Sequence, residues 1–425
     1  MISEIRAKNC FSFEDEIIFS LKADMRNKRL ASNVNQDGGF NVLKTAGIYG
    51  SNNAGKTNLI RCILSIWNVL VNRGFNASKN LFSKDNIVSL GVTFVFEARE
   101  FSYDFKYDVS TNEYIYERFT EIIKDKYGNE KNDLWLLKDI INKEFKSADK
   151  KMKDMIGIVA RNNLLMHLID TTQFDHLREM KRILTGFASK IDIVDLNNIP
   201  INKTIELLKQ NSETSKKISD FIKNADLYMD NYFYASPDQI KLETSYEGIR
   251  PQENVLNIPE LLADQIRVTS VYKGVPVPSL FFDSTGTKKI AALASYIIDA
   301  LENGRVLIID ELDSSIHFKL TRAIVAMFNN ELNTSAQLIF TVHDINLMDC
   351  KRLFRKEQIW FVSKDADGVY VYSLADFTAK DGVRDTSDVI EKYRRGALGA
   401  LPEPELIDSL LSINGNAKEA KSDGQ

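Results

Sequence analysis

The feature that most constrains this chain is the glycine-rich octapeptide Gly50-Ser51-Asn52-Asn53-Ala54-Gly55-Lys56-Thr57. An apolar stretch, Asn41 to Tyr49, precedes it, and Thr57 to Asn72 follows with apolar residues at helical spacing. Gly50 and Gly55 allow backbone geometry that other residues resist, so successive N–H groups can turn towards one anion. The start of the helix adds the positive end of its dipole. The pattern predicts a strand, a phosphate-binding loop and a helix, and therefore an α/β fold.

The polar residues of this loop suit nucleotide phosphates. The ammonium group of Lys56 supplies a point charge for the β- and γ-phosphates, and the hydroxyl of Thr57 can ligate Mg²⁺. We expect the nucleotide to contact the following residues: Gly50, Asn52, Asn53, Ala54, Gly55, Lys56, Thr57 and Asn58.

A second candidate site lies about 250 residues further on, where the apolar run Val306 to Ile309 ends in Asp310 and Glu311. A continuous apolar run of this length predicts a strand buried on both faces of a parallel sheet. We expect Asp310 to complete the Mg²⁺ site with Thr57, and Glu311 to orient or deprotonate an attacking water.

The segment Phe282 to Thr287 precedes a predicted helix, Lys288 to Leu301. Ser284 and Gly286 at a helix start would form a second anion-binding end. A single nucleotide does not need two anion-binding helix ends from one chain. In a dimer, however, the second helix end of each chain could cap the γ-phosphate that is bound to the other chain. The alternative is an ordinary serine N-cap.

Two histidines are candidates for the same site. His343 follows the predicted strand Gln337 to Val342 and could hydrogen-bond a γ-phosphate; the alternative is a surface histidine with ordinary partners. His317 lies near the expected dimer seam, and a structural role is equally compatible with its position.

The 425 residues suggest two or three domains, or one large domain with an insertion. We predict an N-terminal half (1–116), a mostly helical arm (117–235), a C-terminal half (236–415) and a disordered tail (416–425). Within the arm, helical runs are expected at these segments: Asp133 to Phe145, Thr172 to Leu184 and Ile201 to Leu208. Its first part is rich in lysine, but acidic residues are interleaved. A solvated helical face is therefore favoured over a nucleic-acid surface.

Composition excludes several protein classes. With 55 Lys+Arg against 59 Asp+Glu, a globally basic nucleic-acid coat is excluded. The three cysteines form no C-x-x-C pair, which favours a reducing, cytoplasmic setting over a disulfide framework. We find neither a secretory signal nor a run of the ~20 apolar residues that would span a membrane. Asp365-Ala366-Asp367-Gly368 superficially resembles a metal pair, but the glycine favours a hairpin turn.

In this order, the motifs resemble those of ABC-type ATPase heads of the SMC and OLD-like group. More narrowly, the chain is similar to AAA-type, OLD-like ATPases encoded beside phage-defence and abortive-infection genes, a group that contains the ATPase subunits of PARIS anti-phage systems. The likeness covers about residues 1–110 and 240–402. The segments that carry the narrower likeness are Ile5 to Phe13, Asp310 to His317, Thr341 to Leu347 and Tyr393 to Pro402.

The resemblance implies an ABC-type P-loop ATPase head that binds ATP and Mg²⁺ and forms head-to-head dimers on ATP. It implies Lys56 and Thr57 as Walker A, Asp310 and Glu311 as Walker B, Ser284 and Gly286 as the signature, and His343 as the switch histidine.

Three residues depart from the wider group. Thr287 stands where transporters have glutamine, and His317 stands where SMC heads have aspartate. No clear Q-loop glutamine is found, since the strand from Val92 reaches Glu97 instead.

The leading hypothesis is an ATP-driven switch that controls a separately encoded effector, a nuclease or toxin, in anti-phage defence. About 80 residues follow His343, fewer than a TOPRIM-type nuclease domain needs, so we expect no nuclease in this chain. The alternatives are an SMC/RecF-like repair ATPase that binds DNA, and a scaffold that binds ATP without hydrolysing it.

Overall fold

The computed structural model describes residues 1–124, 129–149, 152, 163–168, 174–210, 212–225, 228–235, 260–384 and 387–401. The predicted tail, 416–425, lies outside these ranges. Among the described residues, no helix is both long enough and apolar enough to cross a lipid bilayer.

The described strands and helices follow in chain order. The strands are β1 (Ile2–Lys8), β2 (Ile17–Ser20), β3 (Val34–Asp37), β4 (Phe40–Leu43), β5 (Thr45–Tyr49), β6 (Ile87–Phe96), β7 (Arg99–Asp108), β8 (Glu113–Lys124), β9 (Glu130–Asp139), β10 (Glu144–Ser147), β11 (Ile191–Asp195), β12 (Asn231–Tyr234), β13 (Val268–Tyr272), β14 (Val275–Pro278), β15 (Val306–Asp310), β16 (Gln337–Thr341), β17 (Ile359–Lys364) and β18 (Val369–Ser373). The α-helices are α1 (Lys56–Leu70), α2 (Leu165–Leu168), α3 (Asp175–Ser189), α4 (Asn202–Lys209), α5 (Glu213–Asn224), α6 (Glu260–Arg267), α7 (Ser279–Phe282), α8 (Thr285–Asn303), α9 (Phe318–Asn329) and α10 (Val389–Arg394).

A six-stranded sheet in the order β11-β15-β16-β5-β17-β18 positions the candidate site. Strands β11, β15, β16, β5 and β17 are parallel, and β18 pairs with β17 in the antiparallel sense. All residues of β5 and β16 are buried, as are the first four of β15. The prediction of an apolar strand buried within a parallel sheet is confirmed. Because parallel strands end at the same edge, the residues after β5, β11, β15 and β16 come together there.

The second large sheet is seven-stranded and antiparallel, in the order β10-β9-β8-β7-β6-β1-β2. Its inner face packs with α1 and α3 in the larger apolar core, which includes Phe94 stacked on Phe187 at a ring separation of 3.9 Å. Gln337 joins the two sheets, since its buried amide accepts from the N–H of Ile2 and donates to the carbonyls of Ile2 and Leu43. A second core lies between the six-stranded sheet and helices α8 and α9.

The expectation of a mostly helical arm from residue 117 is wrong for its first part. Residues 113–124, 130–139 and 144–147 are strands of the seven-stranded sheet, and the predicted helix Asp133 to Phe145 falls on β9 and β10. The exposed positions of β9 and β10 are mostly charged, as expected of an antiparallel sheet with one solvated face. Strand β8 departs from this pattern, since Glu117 is buried and Ile123 is exposed. Lys138 departs from the solvated pattern as well, being only 1% exposed.

The later part of the arm contains the predicted helices. The run predicted at Thr172 to Leu184 corresponds to α3, and the run at Ile201 to Leu208 corresponds to α4. Helices α4 and α5 and the three-stranded sheet β12-β13-β14 pack on α8 through a third apolar cluster. The arm is therefore attached to the helix that begins at the predicted signature.

Candidate functional site

The glycine loop has the backbone geometry that its sequence predicts. Gly50 follows β5 with a φ of 152°, and a Cβ there would lie 2.2 Å from the carbonyl oxygen of Val362. Gly55 has a φ of 118° and directly precedes α1. Neither position admits a larger residue without strain. Asn53 is also in the left-handed region, with a φ of 62°.

Lys56 reaches back over the loop from the first turn of α1. Its Nζ donates to the carbonyl oxygens of Gly50 (2.7 Å) and Ser51 (3.1 Å) and lies 3.5 Å from Nδ1 of His343. Burial lowers the pKa of Lys56, an effect opposed by the nearby carboxylates of Asp310, Asp313 and Glu311. The ammonium group therefore lies where the candidate acids and histidine meet.

The remaining loop residues differ in exposure. Asn52, Asn53 and Thr57 are exposed and Asn58 is partly exposed, whereas Ala54 is buried. The Thr57 hydroxyl is therefore open to a ligand at the start of the helix.

The two acids at the end of β15, Asp310 in the strand and Glu311 just after it, are held by Thr341 at the end of β16. The hydroxyl Oγ1 of Thr341 donates to Asp310 Oδ1 (2.5 Å) and accepts from the backbone N–H of Glu311 (2.7 Å). Glu311 has a φ of 57°, a left-handed conformation that is uncommon for glutamate and that turns the chain out of the strand. Thr341 thus fixes the backbone that carries the proposed catalytic carboxylate.

His343 is exposed and belongs to the same edge. Its backbone N–H and that of Asp344 donate to one oxygen of Asp313, at 2.9 and 2.7 Å. The structure brings together Lys56, Asp310, Glu311 and His343 as the sequence suggested.

The predicted signature begins helix α8, and Ser284 is the N-cap. The exposed Ser284 Oγ accepts from the backbone N–H of Thr287 at 3.1 Å. A Cβ on Gly286 would lie 3.0 Å from the carbonyl oxygen of Ser315, so the helix start lies against the loop after β15. Both the N-cap role and the anion-binding role remain compatible with this geometry.

His317 caps α9, since its Nδ1 accepts from the N–H of Lys319 at 3.3 Å. This contact supports the structural role left open above.

Glu97 lies in the turn between β6 and β7 with a φ of 52° and pairs with Arg182. It therefore belongs to the seven-stranded sheet and not to the site edge. Asp365 accepts from the N–H groups of Asp367 and Gly368, as expected of a hairpin turn.

Asn197 is a site residue that the sequence analysis missed. It follows β11, whose last residue, Asp195, lies in register with Asp310. Asn197 Nδ2 donates to Glu311 Oε2 at 2.6 Å. The stretch Ile191 to Val194, apolar apart from Asp192 and followed by Asp-Leu-Asn-Asn, was the available signal, although it is weaker than the uninterrupted apolar run before Asp310.

Asp283 connects the signature to strand β13. This buried carboxylate accepts from Ser270 Oγ (2.6 Å), Ser279 Oγ (2.6 Å) and Tyr272 OH (2.8 Å). Burial and the hydrogen bond to Asp283 both raise the pKa of Tyr272. The residue before Ser284 is thus fixed by strand β13 and helix α7.

We expect Asp283→Ala to lower the free energy of unfolding by about 3 kcal/mol, because it leaves buried hydroxyl groups without an acceptor. Chemical unfolding in urea measures the change. Asp230→Ala is the control, since Asp230 accepts one exposed N–H, that of Gly274, in the turn between β13 and β14. A loss of stability no larger than that of the control would contradict the role of Asp283.

Comparison with known proteins gives one family match and several structural similarities. Residues 192–349 match the sequence model of a family described as "AAA domain, putative AbiEii toxin, Type IV TA system". No curated protein matches the chain in sequence.

Three solved structures were found to be similar to this chain. They are an SMC head domain from Thermotoga maritima (11% identity, TM-score 0.42, covering 88% of this chain and 98% of that one), an SMC head bound to the C-terminal winged-helix domain of ScpA (14%, 0.47, 90% and 99%), and an SMC head with an extended coiled coil bound to the C-terminal domain of ScpA from Pyrococcus furiosus (11%, 0.40, 92% and 99%). The described strands and helices confirm the predicted α/β fold. The AAA match over residues 192–349, together with the loop geometry, indicates a nucleotide-binding, ATPase-type protein.

Proposed function

We propose that this chain is an ATP-hydrolysing switch that forms head-to-head dimers on ATP and thereby controls a separate effector. The observation that carries the proposal is the meeting of Lys56, Glu311 and His343 at one sheet edge, while the exposed Ser284 caps a helix that packs against the loop after Glu311. A complete triphosphate site then needs Ser284 from a second chain.

In this proposal the loop N–H groups and Lys56 bind the phosphates. Thr57 and Asp310 would hold Mg²⁺, and their hydroxyl and carboxylate oxygens are the ligands that this ion prefers. The ion would neutralise charge on the phosphate oxygens. Lys56 lies close enough to Asp310 for the carboxylate to affect its pKa, which supports a shared site.

Glu311 would orient the attacking water and accept its proton. His343, 3.5 Å from Lys56, would hydrogen-bond the γ-phosphate and lose that partner after hydrolysis. Ser284 and Gly286 of the second chain would cap the γ-phosphate with a hydroxyl and a helix N-terminus. Hydrolysis removes the shared ligand, so the two chains separate.

The ATP-bound dimer is testable with Ser284→Arg. The long cation at the N-terminus of α8 should prevent the second chain from closing, since both its size and its charge oppose the helix end. We expect ATP binding to persist while ATP-dependent dimers disappear and turnover falls by about tenfold or more.

Light scattering after size exclusion, with ATP and Mg²⁺, measures the dimer. Ser189→Arg, an exposed substitution on helix α3, is the matched control and should dimerise as the wild type does. Full ATP-dependent dimerisation of Ser284→Arg would refute the sandwich arrangement.

The description of the matching family, which names a putative AbiEii toxin and a type IV toxin–antitoxin system, supports a setting in defence rather than in repair. We therefore propose that the switch acts on a separately encoded nuclease or toxin in cells under phage attack. Plaque counts should show protection that depends on both the ATPase and its neighbouring gene. ATP-dependent DNA binding that weakens steeply with salt, without such protection, would favour a repair ATPase instead.

A further inference from the structure

The side-chain amide of Asn197 joins three elements beside the proposed catalytic glutamate. Its Oδ1 accepts from Ser314 Oγ (2.5 Å) and from Lys289 Nζ (3.2 Å), and its Nδ2 donates to Glu311 Oε2 (2.6 Å). An amide carries its acceptor on one side and its donors on the other. Two donors at the oxygen therefore leave the nitrogen facing the carboxylate of Glu311.

Lys289 extends from α8, five residues after Ser284. Its ammonium group donates to Asn197 Oδ1 and to the hydroxyls of Ser314 (3.3 Å) and Ser315 (3.5 Å). These acceptors are all neutral oxygens, and a charged donor forms a stronger hydrogen bond to them than a neutral one would. The neighbouring Lys288 is directed elsewhere, to the carbonyl oxygen of Leu280 at 2.6 Å.

The backbone and the carboxylate of Glu311 have different supports. Thr341 holds the backbone N–H, whereas Asn197 hydrogen-bonds the carboxylate. The direction of the reacting group therefore depends on Asn197, and the orientation of Asn197 depends in part on Lys289.

We propose that Lys289 and Asn197 are positioning residues that aim the carboxylate of Glu311, so that the position of helix α8 sets hydrolysis by the same chain. The inference rests on the proposed function, in which Ser284 at the start of this helix touches the nucleotide of the second chain. A shift of the helix on closure moves Lys289, and the amide then moves the carboxylate. A pocket of about 210 Å³, lined in part by Asn197, Thr285 and Lys289, lies beside these contacts.

We call the path of contacts from Lys289 through Asn197 to Glu311 the relay. Steady-state ATP turnover and equilibrium ATP binding of the full chain test it. We expect Lys289→Met and Asn197→Ala each to lower kcat by about tenfold or more, because misdirection of a catalytic group costs rate rather than affinity. ATP affinity and ATP-dependent dimerisation should stay within about twofold of the wild type. The double variant should be no slower than the slower single variant, since both changes break one pathway.

Matched controls separate the relay from a general effect of surface charge. Lys288→Met removes the adjacent lysine of the same helix, and Asn198→Ala removes the adjacent amide, which bonds to Asp195 at 2.9 Å. Both should retain wild-type kcat. Lys289→Arg, which keeps the charge and the donors, should recover most of the rate lost in Lys289→Met.

Several outcomes would overturn the relay. The first is a kcat within about twofold of the wild type in Lys289→Met or Asn197→Ala. The second is a double variant whose loss of kcat is the product of the two single losses. The third is a loss of ATP binding as large as the loss of kcat. If Lys289→Met does not fold, Lys289→Gln serves in the same comparison. A wild-type chain that hydrolyses no ATP would instead refute the proposed function, and with it this inference.

Discussion

Glu311→Gln is expected to lower ATP turnover by about 100-fold or more and to trap ATP-bound dimers, since glutamine cannot accept a proton from the attacking water. The substitution keeps the size of the side chain and one oxygen that can accept from Asn197. Thr341 still holds the backbone at this position. Binding of ATP and closure of the dimer should therefore survive, while the step that reopens the dimer is lost.

Phosphate release and light scattering, measured on the same sample, check both parts of this expectation. Glu331→Gln, which changes an exposed glutamate after helix α9, is the control and should leave both quantities unchanged. If Glu311→Gln released phosphate at the wild-type rate, Glu311 would not be the catalytic carboxylate. A wild type that binds ATP but releases no phosphate would support the scaffold alternative.

The sequence predicted the site edge well because its signals are local. A glycine loop needs left-handed backbone angles at Gly50 and Gly55, and few residues other than glycine permit them. The apolar runs before Asp310 and His343 are buried on both faces, so their ends could be recognised without knowing the strand order. The parallel arrangement then brings these ends together.

Residues 113–147 were harder to predict. Glu117 illustrates the reason, because it is fully buried and accepts from the hydroxyl of Tyr103 and the N–H of Leu165. Its burial raises its pKa. A buried glutamate and a buried Lys138 in a lysine-rich segment hide the alternation that marks a strand. Both side chains have partners further along the chain, since Lys138 donates to the carbonyl of Asn163 and Glu117 accepts from the N–H of Leu165. The sequence does not reveal these contacts, so it does not show that the two charged residues are buried.

Asn197 was missed for a related reason. Its role depends on the register of β11 against β15, which sets Asp195 beside Asp310. That pairing links segments more than 100 residues apart, with the last part of the arm and helix α8 between them. An asparagine after a short apolar stretch is common in ordinary turns, so its residue type alone does not indicate a site.

Lys56→Ala should weaken ATP binding by about 100-fold and abolish turnover, since it removes a charge-assisted donor to the phosphates. Lys56 lies within hydrogen-bond distance of the carbonyls of Gly50 and Ser51, at the mouth of the loop. Lys56→Arg should also fail to bind normally, because the planar guanidinium group does not fit the space of a compact ammonium. Titration with a fluorescent ATP analogue measures the affinity.

Lys44→Ala is a matched control for this prediction. Lys44 lies just before β5, whereas Lys56 lies in the segment after it. Burial lowers the pKa of both lysines. The Nζ of Lys44 donates to the carbonyl of Asn330 at 2.9 Å. Its removal should cost folding stability but leave ATP affinity unchanged, because it lies at the amino end of the strand. Equal losses of affinity in both variants would mean that strand β5 is being destabilised. A loss confined to Lys56→Ala would identify the carboxyl end of β5 as the place where the triphosphate binds.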